Sequence, residues 1–293
     1  MKIAVGVLIA LFVAWAGNPF ARAAAGKIPV VAAENFYGDL ARQIGGDRVS
    51  VTSIMNNPDQ DPHLFEVSPD VVRQIAAAQV VVYSGADYDP WMAKLLNVTP
   101  MPGRAVIVAA DLVHKTAGDN PHLWYDPPTM PAVASALAAA FTAADPSHKD
   151  DYAARLKTFI ASLEPLNKKI SAIRGKYAGV PVTASEPVFG YMAAALHLRM
   201  LNQRFQLAVM NNTEPSASDV AAFERDLKTH MVRVLFYNKQ ASNKIVQHLV
   251  DLAHASNIPV VGVTETCPPG LSYQNWILTQ LDETEKALAG PST

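Results

Sequence analysis

From Ile28 onward, short Val- and Ile-rich runs alternate with longer amphipathic ones, and this alternation constrains the fold more than any other feature. Ile28 to Ala33, Val49 to Ile54, Val80 to Ser84 and Ala105 to Ala109 read as buried strands bounded by turn residues. Helical patterns lie between them at Phe36 to Ile44, Ser68 to Ala78 and Asp89 to Leu96. A second set begins near Val180. Its strands are Val180 to Ala184, Val232 to Tyr237 and Pro259 to Val263, with a weaker one at Met200 to Leu201. Its helices run through Val188 to His197, Ser216 to Thr229, Ala241 to Ala255 and Tyr273 to Leu288. Strand–helix alternation implies parallel pairing with helices on both sheet faces. The expected fold is therefore α/β, with two lobes that each hold a mainly parallel sheet flanked by helices.

Between the two sets, Asp145 to Lys176 reads as one long connecting helix. Asp145 caps it, Pro146 takes its first position, and Pro165 kinks it. The expected division is a signal peptide over 1–23, an amino-terminal lobe over 26–144, a linker helix over 145–176 and a carboxy-terminal lobe over 177–293. The signal peptide rests on Lys2, the apolar stretch Ile3 to Ala16 and the small-residue exit Ala21-Arg22-Ala23. With no Cys near that exit, the expected product is a soluble periplasmic protein without a lipid anchor. The one cysteine, Cys267, excludes an internal disulfide, so the core must stabilise the chain unaided. Without Lys2 and Arg22 the balance is 22 basic to 26 acidic side chains, a formal charge of −4, which argues against nucleic acid as a partner.

Two Pro-stiffened turns each present an imidazole: Asp61-Pro62-His63 and Asn120-Pro121-His122. In open α/β sheets, ligands bind beyond the carboxyl ends of strands. His63 follows the second strand and His122 the fourth; Ser185-Glu186-Pro187 and Thr264-Glu265-Thr266 end two strands of the second set. His63, His122, Glu186 and Glu265 are thus expected to meet between the lobes. Two neutral imidazoles and two carboxylates carry −2, which one divalent cation balances. Mixed nitrogen and oxygen donors suit Mn²⁺, Fe²⁺ or Zn²⁺ better than Ca²⁺ or Mg²⁺.

These segments resemble those of the periplasmic solute-binding proteins of bacterial zinc and manganese ABC transporters. The matching stretches are Asp61-Pro62-His63-Leu64-Phe65-Glu66, Asn120-Pro121-His122-Leu123-Trp124-Tyr125-Asp126-Pro127, Ser185-Glu186-Pro187-Val188-Phe189-Gly190-Tyr191 and Thr264-Glu265. The resemblance implies two lobes joined by a long helix, one Zn²⁺ or Mn²⁺ carried in the cleft as cargo, and delivery to membrane permease subunits by a monomer. It places His63, His122 and Glu186 as the first three ligands. Its fourth position is usually Asp, where this chain has Glu265. The His- and acid-rich loop of several zinc-specific members is missing, and Lys115 to Asp119 is short and ordinary.

Glu66 and Asp126 are expected to support the ligating imidazoles, since a carboxylate accepting a ring N–H fixes tautomer and orientation. Trp124 and Tyr125 either shield the ion or fill the core. Cys267, two residues past Glu265, reads as a buried thiol rather than a ligand. Two rival readings are a metal-dependent hydrolase, which needs an open coordination position and a general base, and a metal-binding surface adhesion module.

Overall fold

The computed structural model describes residues 26–57, 65–241 and 243–290; the export signal and His63 lie outside the described residues. The amino-terminal lobe runs β1 (Ile28–Glu34), α1 (Asn35–Gly45), β2 (Val49–Met55), α2 (Pro69–Ala77), β3 (Val80–Tyr83), α3 (Pro90–Val98), β4 (Ala105–Val108), the short α4 (Ala109–Leu112) and α5 (Thr129–Ala144). The connector is α6 (Lys149–Ser162) and α7 (Glu164–Tyr177). The carboxy-terminal lobe follows with β5 (Pro181–Ala184), α8 (Gly190–Ala195), β6 (Arg199–Met200), α9 (Gln203–Met210), α10 (Ala217–Lys228), β7 (Leu235–Asn238), α11 (Lys244–Ala255), β8 (Val260–Val263) and α12 (Tyr273–Ala289). Among the described residues no helix is long and apolar enough to cross a membrane.

Both sheets are parallel and share one topology: β2-β1-β3-β4 and β6-β5-β7-β8. In each, the chain leaves its first strand for one edge and returns to the other side. The crevice at that reversal opens between the carboxyl ends of β1 and β3, and of β5 and β7, which is where α/β sheets hold ligands.

The connecting helix is interrupted at Leu163, whose φ and ψ are −83° and −9°. Pro165 causes the break from two residues away, because its nitrogen cannot donate to the preceding turn and its ring restricts Glu164. The helix α5 has no counterpart among the expected elements. Its sequence, TMPAVASALAAAFTAA, is apolar nearly all round, so it shows no stripe of the 3.6-residue period that marks a surface helix.

One contiguous core spans both lobes, taking in Val30, Ala32 and Val80 from the first sheet and Val182, Phe236 and Val261 from the second. Aromatic rings bridge it. Phe36 stacks on Trp276 (5.9 Å between centroids), Tyr125 meets Phe189 (5.2 Å), and Phe189 stacks on Phe236 (4.5 Å). Burying a Phe-sized ring contributes about 1.5–3 kcal/mol. Exposing two of them would cost about 3–6 kcal/mol, a large fraction of the stability of a domain. Separating the lobes along this seam therefore carries a substantial cost.

Candidate metal centre

His122 is fully buried and leads into a single 3₁₀ turn, Leu123–Tyr125. Pro121 stiffens the approach, and its carbonyl accepts the Leu123 N–H at 2.8 Å. The ring is held by Asn120, whose Oδ1 lies 2.7 Å from His122 Nδ1. Asn120 Nδ2 donates to the Pro187 carbonyl (2.8 Å), which fixes which end of the amide is oxygen. Oδ1 is therefore an acceptor, Nδ1 carries the ring proton, and Nε2 presents a lone pair. Tyr191 donates to the Asn120 carbonyl at 2.8 Å, so the His122 loop is stitched to the loop that carries Glu186. The approach requires Gly190: a Cβ there would stand 2.8 Å from Asn120 Nδ2.

Glu186 leaves the end of β5 and Glu265 the end of β8; both are buried. His122 Nε2 faces Glu265 Oε2 at 3.4 Å. That spacing is long for an N–H···O bond, which centres near 2.9 Å. It suits two donors sharing one cation: bonds of about 2.0–2.1 Å at a tetrahedral angle separate donors by about 3.3–3.4 Å. Between the two carboxylates stands Asn238, at the end of β7. Its Nδ2 donates to Glu186 Oε2 (2.5 Å) and to Glu265 Oε1 (2.7 Å). Tyr88 donates to Glu265 Oε2 at 3.0 Å. The structure thus brings together three of the four expected residues, His122, Glu186 and Glu265. Among the described residues no group of three or more His, Cys, Asp or Glu side chains is placed to hold a metal ion, and His63 lies outside the described set.

Comparison with known proteins places the chain in a family. The family model for the zinc-uptake complex component A, periplasmic, matches residues 30–287. The chain belongs to this family. It is 24% identical to a manganese ABC transporter substrate-binding lipoprotein of Streptococcus mitis, over 97% of this chain and 98% of the relative. It is 23% identical to an iron ABC transporter substrate-binding lipoprotein of Streptococcus pyogenes serotype M1, over 99% and 98%. Among solved structures, the periplasmic zinc binding protein of Treponema pallidum superposes with a TM-score of 0.76 at 18% identity. That match covers 90% of this chain and 99% of the other. These relatives are named for manganese, iron and zinc, so the likeness alone does not choose the ion.

The supporting roles differ from expectation. Asn120, rather than Asp126 or Glu66, orients the His122 ring; Glu66 is exposed and Asp126 is half-buried. Trp124 and Tyr125 are fully buried core residues. Trp124 also walls the site, 5.3 Å from the His122 ring and 4.9 Å from Tyr88. Burial pushes the Cys267 thiol up to about 12, so it stays protonated and is a poor metal ligand. Its backbone is the useful part. Asn35 Nδ2 donates to the Cys267 carbonyl (2.7 Å), and Asn35 Oδ1 accepts the Cys267 N–H (2.9 Å), which ties the Glu265 loop to α1 of the other lobe. Gln240 Oε1 accepts the Glu265 N–H at 2.6 Å. Asn120, Asn238 and Gln240 are neutral amides, and no spacing rule flags them.

At the matching crevice of the first lobe lies a pair of acids. Glu34, at the end of β1, shares a hydrogen bond with Asp89 and is fully buried. Asp89 accepts the backbone N–H groups of Ser84 (2.7 Å) and Gly85 (2.8 Å). Burial, reinforced by the Asp89 charge, lifts Glu34 well above the usual carboxylate range; burial lifts Asp89 to about 6. With Asp89 held by two donors, Glu34 keeps the proton and donates it to Asp89. Both acids are harder to ionise when folded, so the native chain binds more protons than the unfolded one between pH ~4 and above pH ~6. Their stabilising contribution is complete below that window and is lost as pH rises through it. Glu34→Gln keeps a donor to Asp89 and removes one titration. The variant is expected to be more stable than wild type at pH 8 by roughly 1–3 kcal/mol, with little difference at pH 5. Urea unfolding of metal-free protein at both pH values checks this, and equal pH dependence in the two proteins would contradict it.

Proposed function

We propose that this chain is the extracytoplasmic substrate-binding protein of a metal ABC transporter. It takes up one divalent transition-metal ion on His122, Glu186 and Glu265, with His63 as the fourth donor, and hands it to the membrane permease subunits. The observation that carries this reading is the buried pair His122 Nε2 and Glu265 Oε2. A neutral nitrogen lone pair faces a carboxylate oxygen at 3.4 Å, across the two lobes. Two buried carboxylates held by neutral donors are costly until a cation joins them, which gives the site its affinity for M²⁺. Capture and release make and break no covalent bond. A hydrolase would need an open coordination position and a free general base, whereas Tyr88 and Asn238 already engage both oxygens of Glu265.

Purified protein stripped of metal and titrated calorimetrically with Zn²⁺ and Mn²⁺ is expected to bind one ion per chain reversibly. The loaded protein is expected to leave ester and phosphate substrates intact. Turnover by loaded protein would favour the hydrolase, and the absence of stoichiometric binding would remove the transport reading.

A further inference from the structure

Asn35 opens α1, and its side chain reaches across to the loop that follows β8. Its Nδ2 donates to the Cys267 carbonyl at 2.7 Å, and its Oδ1 accepts the Cys267 N–H at 2.9 Å. Only this orientation of the amide works, because turning it over would set donor against donor and acceptor against acceptor. Cys267 lies two residues past Glu265. In its own lobe that loop is held by Gln240, whose Oε1 accepts the N–H groups of Glu265 (2.6 Å) and Thr266 (3.1 Å). From the amino-terminal lobe, Tyr125 donates to the Thr264 carbonyl (3.0 Å), Tyr88 donates to Glu265 Oε2 (3.0 Å), and Asn35 pairs with Cys267. The two tyrosines are buried. Asn35 is half-buried and borders a cavity of about 530 Å³ that it shares with Asp39, Arg42 and the segment 267–271.

We infer that Asn35 is a positioning residue for metal capture: its two-point bond to the Cys267 backbone sets where Glu265 stands against His122, and so slows loss of the bound ion. The inference rests on the metal-capture reading above and adds to it a residue that never touches the cargo. The reason is geometric. His122 belongs to the same lobe as Asn35 and Glu265 to the other, with Nε2 and Oε2 3.4 Å apart. Metal bonds of about 2.0–2.1 Å tolerate little displacement of a donor. The two loops must therefore keep register, and a tie within two residues of Glu265 keeps it. Along α1 the tie continues. Asp39 accepts the Tyr273 N–H (2.8 Å), and Gln43 and Gln274 exchange hydrogen bonds (2.8 and 3.0 Å). These positions, four and eight residues past Asn35, share its face of the helix, but they hold the start of α12, beyond the loop. Of the three, Asn35 acts nearest to Glu265.

The test uses the mature protein with Zn²⁺ as the probe. Affinity is read by competition with a chelating dye, and release by stopped-flow mixing with excess chelator. Asn35→Ala is expected to weaken binding about 10-fold, the low end of the range for outer partners of metal ligands, and to speed release. The loss is no larger because Tyr88 and Tyr125 still hold the residues beside it. Asn35→Asp separates positioning from general stability. Ionised, it sets a carboxylate oxygen against the Cys267 carbonyl and should bind Zn²⁺ more weakly than wild type at about pH 7.5. An added negative charge by itself would do the opposite and tighten cation binding. Protonated, its hydroxyl donates to that carbonyl as the amide does. Its affinity relative to wild type should therefore recover as pH falls toward about 5, while the ratio for Asn35→Ala stays level. Circular dichroism of the metal-free proteins checks folding; should Asn35→Ala misfold, the pH recovery in Asn35→Asp decides. Wild-type affinity and release in a folded Asn35→Ala, or an Asn35→Asp ratio that does not recover at low pH, overturns the inference while uptake itself stands. Wild-type protein that takes up no Zn²⁺ overturns the capture reading along with it.

Discussion

His122→Ala is expected to weaken binding of the divalent ion by well over the roughly 100-fold that losing an outer partner costs, while the metal-free fold survives. The imidazole supplies the one nitrogen donor that the described residues bring to Glu265 Oε2; among the described residues Trp124 and Tyr88 are the rings beside it. Folding does not depend on it in the same way. Glu265 keeps its bonds from Tyr88 and Asn238, and Asn120 keeps its bonds to Pro187 and Tyr191. Thermal unfolding with and without metal reads both halves of the prediction. At a free ion concentration of about 1,000 times Kd, binding stabilises the native state by about 4 kcal/mol. At about 2–4 °C per kcal/mol for a chain of this size, wild type should gain roughly 8–16 °C. The variant should gain almost nothing while starting within a few degrees of metal-free wild type. A metal-dependent shift equal to that of wild type would remove His122 from the ligand set.

The parts of this molecule that were legible in the sequence are those where local chemistry and global position coincide. The strand Val80–Tyr83 is buried from Val80 to Val82, on both faces, so it reads as a continuous apolar run. His122, Glu186 and Glu265 could be placed because each follows a strand directly or sits on a Pro-stiffened turn, and parallel sheets gather such ends along one edge. Their supporters could not. Asn238 matters only because β5 and β7 are neighbours, and that adjacency comes from the chain stepping out to β6 and back. Asn120 lay within a segment already singled out, where an Asn before Pro reads as a turn former; its second role depends on Pro187, 67 residues away. The acids Asp126 and Glu66 were the better guess on charge alone, yet an amide serves His122 here. An amide can accept the Nδ1 proton while donating to a carbonyl, and a carboxylate would have left that carbonyl unsatisfied.

Trp124→Ala is expected to lower stability by about 3–5 kcal/mol, the usual range for removing a fully buried large ring, and with it the melting temperature by roughly 6–20 °C. Trp124 packs within 4.8 Å of Phe36, 4.9 Å of Tyr88 and 5.3 Å of His122 (ring centroids). Its carbonyl accepts the Tyr273 hydroxyl of the other lobe at 2.8 Å. The side chain is therefore core of the molecule and wall of the metal centre at once, and its removal should loosen both. Trp91→Ala supplies the contrast. Trp91 is only partly buried, packs on Phe65 at 4.6 Å and belongs to the edge of the amino-terminal lobe. It should cost stability with little change in ion affinity, whereas Trp124→Ala should cost stability and weaken binding together, because Tyr88 and His122 lose the surface that fixes their rings. Urea unfolding of the metal-free proteins alongside calorimetric titration separates the cases. Equal effects of the two substitutions on affinity would mean that Trp124 serves the core alone, and that the positions of the His122 and Tyr88 rings are set by their hydrogen bonds rather than by packing.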